Sequence, residues 1–410
     1  MTESTYQLPI VQTLEPTTVA ELAGFVQQAY DQSTPVYPLG GQTGIHYGLP
    51  AKNDGWGLST TQLNKIIDFP VKDLTITVET GIAMQVLNET LAKEGLMLPL
   101  DVPQEAAATL GGVIATNTNG PRRFGYGTVR DFVIGIEAVN GKGQIFHGGG
   151  RVVKNVAGYD FCKLLTGSLG TLGVITQATV KLKPLPEASA TVVVSLENPE
   201  VAEACVAMLL ESPTVPAAIE LLCGEVWAEL TGKSKDRMTL AVQLTGMAVE
   251  TAWSQQRLVE DLKLHGAPGA SVLSGDAHTQ LWQQIQEFPA EQRELTVQVK
   301  TVSSGVVPVI KKCLALSPDC TIQSHAGNGV VTVGFDELPD GGISDVVITE
   351  LGPLATTYHG HVETLRCPNP EDLTMSTMWG QLSAPEWLHD RIKKQFDPRL
   401  ILNPGRFVYQ

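Results

Sequence analysis

Glycine-rich segments carry the clearest chemistry in this sequence. Gly40-Gly41-Gln42-Thr43-Gly44 follows the apolar run Val36–Leu39. Consecutive glycines there expose backbone N–H groups that can form an anion-binding nest. A phosphate cradle and a plain tight turn both fit these residues, because G-x-G-x-x-G spacing and the Gly-Lys-Ser/Thr of a P-loop are absent. A second segment runs through Asp101-Val102-Pro103-Gln104, Ala108-Thr109-Leu110-Gly111-Gly112 and Ala115-Thr116-Asn117-Thr118-Asn119-Gly120. These residues are too small and polar for a core strand. They suit a backbone that wraps a flat polar ligand with Thr and Asn side chains as donors, although a glycine-rich surface loop would look the same. In a third segment Gly167, Gly170 and Gly173 stand three apart, a winding loop that feeds the apolar start Val174-Ile175 of a strand.

Of the 40 glycines, 15 lie between Gly111 and Gly173, a density expected where backbone turns tightly or approaches a ligand closely. The same window holds Arg122, Arg123, Arg130, Lys142, Arg151, Lys154 and Lys163 against Asp131, Glu137 and Asp160, so it is locally basic in a chain of net charge −15. Such a segment reads as a pocket for something anionic.

The elements that must position these loops follow from periodicity. Thr17-Thr18 caps a helix over Val19–Tyr30, and Val36–Leu39 is a short strand leading into the first loop. Leu74, Ile76 and Val78 alternate with polar residues, as in a half-buried strand. Ile82, Val86, Leu87 and Leu91 recur at helical spacing, with Gly95 as the stop. Phe132–Val139, the turn Asn140-Gly141 and Gln144–His147 read as a hairpin, and Gly173–Leu182 as a strand. Residues 183–190, with two prolines, mark a boundary. Beyond it, strands are expected at Thr191–Leu196, Met238–Leu244, Leu295–Val302 and Val330–Phe335, and helices at Glu200–Leu210, Thr251–Leu264 and Val306–Leu316. A last helix, Trp387–Phe396, precedes an irregular tail.

Composition narrows the function classes. The 410 residues suffice for two or three domains, and 43% hydrophobic against 17% charged residues is a folded composition. The acidic balance argues against nucleic-acid or anionic-membrane binding through bulk charge. MTESTYQLPIVQTLEP shows no secretory signal, and no stretch approaches the roughly 18 apolar residues of a membrane span. The expectation is a cytoplasmic protein that meets the inner face of the membrane only through a complex. Cys162, Cys205, Cys223, Cys313, Cys320 and Cys367 are scattered without a C-x-x-C pair, so they read as buried thiols and not as an iron–sulfur site.

The strings PLGGQTG, DVPQEAAATLGGVIATNTNGPRRFGYGTVRD, KNVAGYDFCKLLTGSLGTLGVIT and FDPRLILNPGRF together resemble the vanillyl-alcohol oxidase-type FAD-binding domain of FAD-linked 2-hydroxyacid dehydrogenases. Within that family the resemblance is to the FAD-binding E subunits of bacterial glycolate oxidase (glycolate dehydrogenase). It implies an α+β fold: a two-lobed FAD-binding domain over residues 1–185, a smaller α+β cap over 190–380, and a segment, 384–410, returning to the FAD domain. It also implies that the backbone of Leu39, Gly40, Gly41, Gln42, Thr43 and Gly44 holds the pyrophosphate. Pro103, Thr109, Leu110, Gly111, Gly112, Thr116, Asn117 and Gly120 would follow the pyrophosphate, ribityl chain and flavin edge. Gly167 and Gly170 belong to the third cofactor loop, Val174 and Ile175 would lie near the adenine, and Asn403 would return to the flavin. Some relatives attach flavin covalently through a histidine where Gln42 stands, so FAD is expected to be non-covalent.

For catalysis the resemblance implies a metal-binding stretch, His-x-Gly-Asp-Gly-Asn-x-His. The corresponding residues here are His325-Ala326-Gly327-Asn328-Gly329-Val330-Val331-Thr332, so Asn replaces Asp and Thr332 stands in place of the second His. His359, His361 and Glu363 would share a face if they lay in one strand, but an ordinary solvated strand explains them too; no metal is expected. Oxidation of a small 2-hydroxy acid needs a cation for the carboxylate, a base for the hydroxyl proton and a flavin to take the hydride. Lys300, Arg293 and His325 are the candidates, each with an ordinary surface reading beside it. The expected partners are a homologous flavoprotein subunit and an iron–sulfur subunit. Two alternatives stay open: a flavin-bearing structural or electron-transfer subunit, and a self-sufficient D-lactate or sugar-lactone dehydrogenase.

Overall fold

The computed structural model describes residues 7–150, 158–367, 369–380 and 385–408. Arg151 and Lys154 of the basic segment lie outside these. The chain divides into two compact units, the first comprising Met1–Asn119, Gly127–Leu185 and Leu382–Gln410, the second Gly120–Tyr126 and Pro186–Gln381.

The first unit contains β1 (Ile10–Leu14), β2 (Val36–Leu39), β3 (Gly55–Ser59), β4 (Ile66–Asp68), β5 (Thr75–Glu79), β6 (Leu96–Met97), β7 (Val133–Val139), β8 (Ile145–Gly149), β9 (Val174–Lys181) and β10 (Lys183–Pro184). It has a parallel sheet β1-β3-β2, an antiparallel sheet β4-β5-β9-β7-β8 and a separate small β10-β6 pair. The Val19–Gln32 helix starts where expected because the Thr18 hydroxyl accepts the Glu21 N–H at 3.2 Å. Its buried stripe, Leu22, Val26 and Ala29, packs with Val36, Leu58, Val139, Val174 and the tail residues Ile401 and Leu402.

Two expectations need correction. Leu74 is not part of the strand: it adopts the left-handed conformation (φ 52°), and β5 behind it is buried on both faces because it lies inside its sheet. The second glycine segment is not an irregular wrap, since Leu110–Thr116 is helical. Leu110, Val113 and Ile114 recur at helical spacing and are buried, and Thr109 caps the start, which outweighs the low propensity of Gly111-Gly112.

The second unit is one antiparallel sheet of eight strands: β11 (Ala188–Ser195), β12 (Ala218–Cys223), β13 (Thr239–Gly246), β14 (Ser271–Leu273), β15 (Leu295–Lys300), β16 (Thr321–His325), β17 (Val330–Phe335) and β18 (His361–Arg366). Their order is β14-β11-β13-β12-β16-β17-β15-β18. One face is apolar, with Leu221, Val242, Val299 and Val333 packed against the helices Pro199–Leu210, Ala248–Leu264 and Val306–Leu316. The other face carries an apolar patch of Val193, Leu222 and Ala241 under Trp227, Leu281 and Phe288. The rest of that face is polar. Gly120–Tyr126 joins this unit through Gly125 N–H to Ala217 O (3.0 Å) and the Tyr126 and Thr245 hydroxyls (2.8 Å). Among the described residues no helix is long and apolar enough to cross a membrane.

Candidate functional site

The three glycine segments and the tail converge on one cavity of the first unit, about 1100 Å³ including its open mouth. Its wall includes Leu39, Gly40, Gly41, Gln42, Thr43 and Gly44 of the first segment. Pro103, Thr109, Gly111, Gly112 and Thr116 of the second, Gly170, Val174 and Ile175 of the third, and Asn403 of the tail complete the sequence-derived set that reaches it.

Glycine is required in the first loop because of how closely it approaches the second. A Cβ on Gly41 would fall on the Ala107 carbonyl, and one on Gly40 on the Thr109 hydroxyl. Gln42 accepts a left-handed φ of 59° to complete the turn. Gly41, Gln42, Thr43 and Gly44 donate no backbone hydrogen bond to any described residue. Uncommitted N–H groups lining a cavity are donors awaiting an acceptor.

The second segment contributes differently from its sequence reading. The Thr109 hydroxyl accepts the Gly112 N–H at 3.3 Å, and the Thr116 hydroxyl donates to the Gly112 carbonyl at 2.8 Å. The Asn117 carboxamide oxygen takes the Asn119 NH2 at 3.0 Å. These side chains therefore brace the short helix. Leu110, Asn117 and Gly167 do not line the cavity, and Gly120 belongs to the second unit. Leu110 points into the core, Asn117 ends the helix at φ 55°, and Gly167 joins the third loop to that helix through its N–H to Ile114 O (2.9 Å).

The tail fastens the loops. Ile401 and Leu402 run beside β2, with Val36 N–H to Ile401 O at 2.7 Å and Asn403 N–H to Val36 O at 2.9 Å. Asn403 donates from Nδ2 to Leu169 O at 2.5 Å, while its buried Oδ1 has no hydrogen-bond partner. Arg406, missed in the sequence, lines the cavity and donates from one terminal nitrogen to Ile45 O (2.6 Å) and Tyr47 O (2.8 Å). Beneath lies Lys393, 3% exposed, whose ammonium donates to Thr171 O (2.7 Å), Leu402 O (2.9 Å) and the Asp397 carboxylate (2.7 Å). Burial pulls the Lys393 pKa down against the opposing pull of Asp397. Asp397, itself fully buried, accepts the Ile401 and Leu402 N–H groups at 3.1 and 2.7 Å. The spacing of Lys393 and Asp397, four apart on a helix, was the available signal for this pair.

In the second unit Glu220, His325, Val330, Lys300 and His361 stand opposite one another across five strands and thus share the polar face. His325 Nδ1 lies 2.9 Å from Glu220 Oε1, with both side chains buried. Glu220 is the lone acid in the apolar run 217–223, which is the sequence signal for this pair. Lys300 Nζ and His361 Nε2 both meet Glu363 Oε1, at 2.6 and 2.8 Å. Burial would raise the Glu363 pKa, but Lys300 and His361 hold it down at about 2. Arg293 is not assembled with the other two candidates. It precedes β15 at the end opposite Lys300, roughly 20 Å along the strand, with its guanidinium bound to Glu291 and Asp336 at 2.7 Å each. His359 adopts φ 58° outside β18, so His359, His361 and Glu363 do not share a strand face. Thr332 is buried and accepts a hydrogen bond from Gln298 at 3.2 Å. Among the described residues no group of three His, Cys, Asp or Glu side chains could hold a metal.

Comparisons with known proteins agree with the cavity. Residues 11–149 match the family described as "FAD binding domain". The chain is 32% identical to glycolate oxidase subunit GlcE of Escherichia coli (strain K12), over 60% of this chain and 69% of that protein. It is 28% identical to glycolate oxidase subunit GlcD of Bacillus subtilis (strain 168), over 96% of this chain and 88% of that protein. D-lactate dehydrogenase of Anaerostipes hadrus is 26% identical over 97% of this chain and 89% of its own length. The fold matches a solved alkyldihydroxyacetonephosphate synthase with a TM-score of 0.69 at 18% identity, over 96% of this chain and 76% of that one. The chain therefore belongs to the family of FAD-linked oxidoreductases built on a vanillyl-alcohol oxidase-type FAD-binding domain. Its relatives there are FAD-linked 2-hydroxyacid dehydrogenases, among them glycolate oxidase subunits and D-lactate dehydrogenases.

The residues present fit FAD. A run of uncommitted N–H groups, two glycines packed against the neighbouring turn and a buried carboxamide oxygen without a partner face or border one open cavity.

Proposed function

We propose that this chain is the FAD-binding subunit of a glycolate (2-hydroxyacid) dehydrogenase complex, acting with a homologous flavoprotein subunit and an iron–sulfur subunit. The observation that carries the reading is the similarity to the E. coli glycolate oxidase subunit over 69% of that protein's length. FAD, when bound, supplies a two-electron acceptor. The loop Leu39–Gly44 would hold its diphosphate through backbone N–H groups, and Asn403 Oδ1 would offer it an acceptor. Binding is non-covalent, since Gln42 occupies the position of the attachment histidine. Asn117 and Gly120 act only by holding the second segment in shape.

The second unit's residues supply acid–base chemistry. His325, paired with Glu220 through Nδ1, is the group of this face suited to take a hydroxyl proton. Lys300, neutralised by Glu363, serves as an electrostatic and hydrogen-bonding neighbour. Thr332 cannot replace a histidine as nitrogen ligand, which favours a division of labour between subunits over a self-sufficient enzyme. The complex would sit in the cytoplasm and reach the membrane through its partners.

The test is anaerobic mixing of the purified holoprotein with glycolate or D-lactate. Alone, its flavin should bleach slowly or not at all, and adding the homologous flavoprotein and iron–sulfur subunits should produce turnover that no component shows singly. Rapid stoichiometric bleaching of the isolated chain would overturn the division of labour. Bleaching that stays absent in the assembled complex would favour a structural or electron-transfer subunit.

A further inference from the structure

The cavity of the first unit has a wall almost without charge. Among the described residues that line it, Arg406 alone carries a formal charge, and no aspartate or glutamate joins it. The rest are glycines, apolar residues and neutral polar side chains. The chain as a whole is acidic, with a net charge of −15. A diphosphate entering this cavity meets an acidic protein and one local cation.

That cation is held in place from two sides. Arg406 is 5% exposed. Its Nε donates to Leu49 O at 3.3 Å, and one terminal nitrogen donates to Ile45 O and Tyr47 O at 2.6 and 2.8 Å. Its carbonyl takes the Leu49 N–H at 2.9 Å. Gly48 sits at φ 110°, and a Cβ there would press on the same Arg406 carbonyl at 2.8 Å. Side chain and backbone thus both grip residues 45–49. These residues continue directly from the Gly40–Gly44 loop whose N–H groups line the cavity. Carbonyl acceptors orient a guanidinium without cancelling its charge, and the cost of burying that charge is offset when an anion comes beside it.

We infer that Arg406 is the electrostatic partner of the FAD diphosphate, a role beyond bracing the loop. The inference rests on the FAD reading of the cavity. The loop's backbone N–H groups supply hydrogen bonds, and Arg406 supplies the positive charge that they lack. The feature it reads is therefore the diphosphate. ADP should feel its loss as FAD does, and adenosine should not.

The experiment compares full-length wild type, Arg406→Gln and Arg406→Lys, each freed of flavin. Titration with FAD reads affinity, and ADP and adenosine are tested as competitors of FAD uptake. Arg406→Gln should weaken FAD and ADP by a similar factor, about 10- to 100-fold, with adenosine unchanged. Arg406→Lys keeps the charge and loses the fork that grips three carbonyls, so it should lose much less. Equal loss in the two variants would overturn the inference, because the shape of the loop alone would then matter. Unchanged FAD and ADP binding in Arg406→Gln would overturn it too, as would FAD loss without ADP loss. Each of these results leaves the FAD reading standing, since wild type still binds FAD. A wild type that takes up neither FAD nor ADP would remove that reading instead. If the melting curve shows that Arg406→Gln does not fold, Arg406→Lys decides. A folded Lys variant that binds ADP supports the charge role, and one that does not counts against it.

Discussion

Gly41→Ala is expected to give protein without flavin. The reason is not a blocked ligand path: the new Cβ would fall on the Ala107 carbonyl, a backbone atom that a rotamer change cannot move away. The Gly40–Gly44 loop would have to lift from the turn before Thr109, dispersing the N–H groups that line the cavity. Gly44→Ala is the matched control, because its Cβ would meet only the Thr116 methyl at an ordinary 3.4 Å. Flavin content per chain after desalting should be near zero for Gly41→Ala and largely retained for Gly44→Ala. Equal content in both would mean that the close approach of the two loops does not shape the site.

Lys393→Met should destabilise the first unit severely. It leaves Asp397 buried without its cation and removes the ammonium that ties Thr171 of the third loop to Leu402 of the tail. Breaking one partner of a buried pair costs about 3–5 kcal/mol. In a unit of this size that lowers the melting transition by roughly 10 °C. Calorimetry should show the first unit's transition falling while the second's holds, and flavin affinity should fall with it because Asn403 and Arg406 follow Leu402. Asp397→Asn should be milder, since an amide oxygen can still accept from Ile401 or Leu402. An unmoved transition in Lys393→Met would show that the tail is only a surface strap.

The parts of the molecule that were legible from sequence are those where local pattern and tertiary role agree. The Val19–Gln32 helix has a Thr18 cap and a buried stripe, and the Val133–Val139 hairpin has its Asn140-Gly141 turn. Strands β12 and β16 escaped because every residue in each is buried, so neither shows alternation. The Leu110–Thr116 helix escaped because Gly111-Gly112 reads as loop until Thr109 and three buried apolar residues are seen together. For the cavity, the glycine spacing located most of the wall, because close backbone approach demands glycine whatever the contacts are. It could not assign the side chains, since Thr109 and Thr116 turn their hydroxyls to the helix itself. Charge was the least legible. Arg293 and Lys300 look available in sequence, and only the fold shows Glu291, Asp336 and Glu363 beside them.

The central claim is that the glycine-walled cavity of the first unit is an FAD site, and the flavin of the purified chain tests it most directly. Protein isolated without added cofactor, or incubated with FAD and desalted, should be yellow. Acid should then release a flavin that chromatographs as FAD, in amounts approaching one per chain, with none left attached to the polypeptide. A colourless protein that takes up no FAD, or one that releases only FMN, would contradict the account.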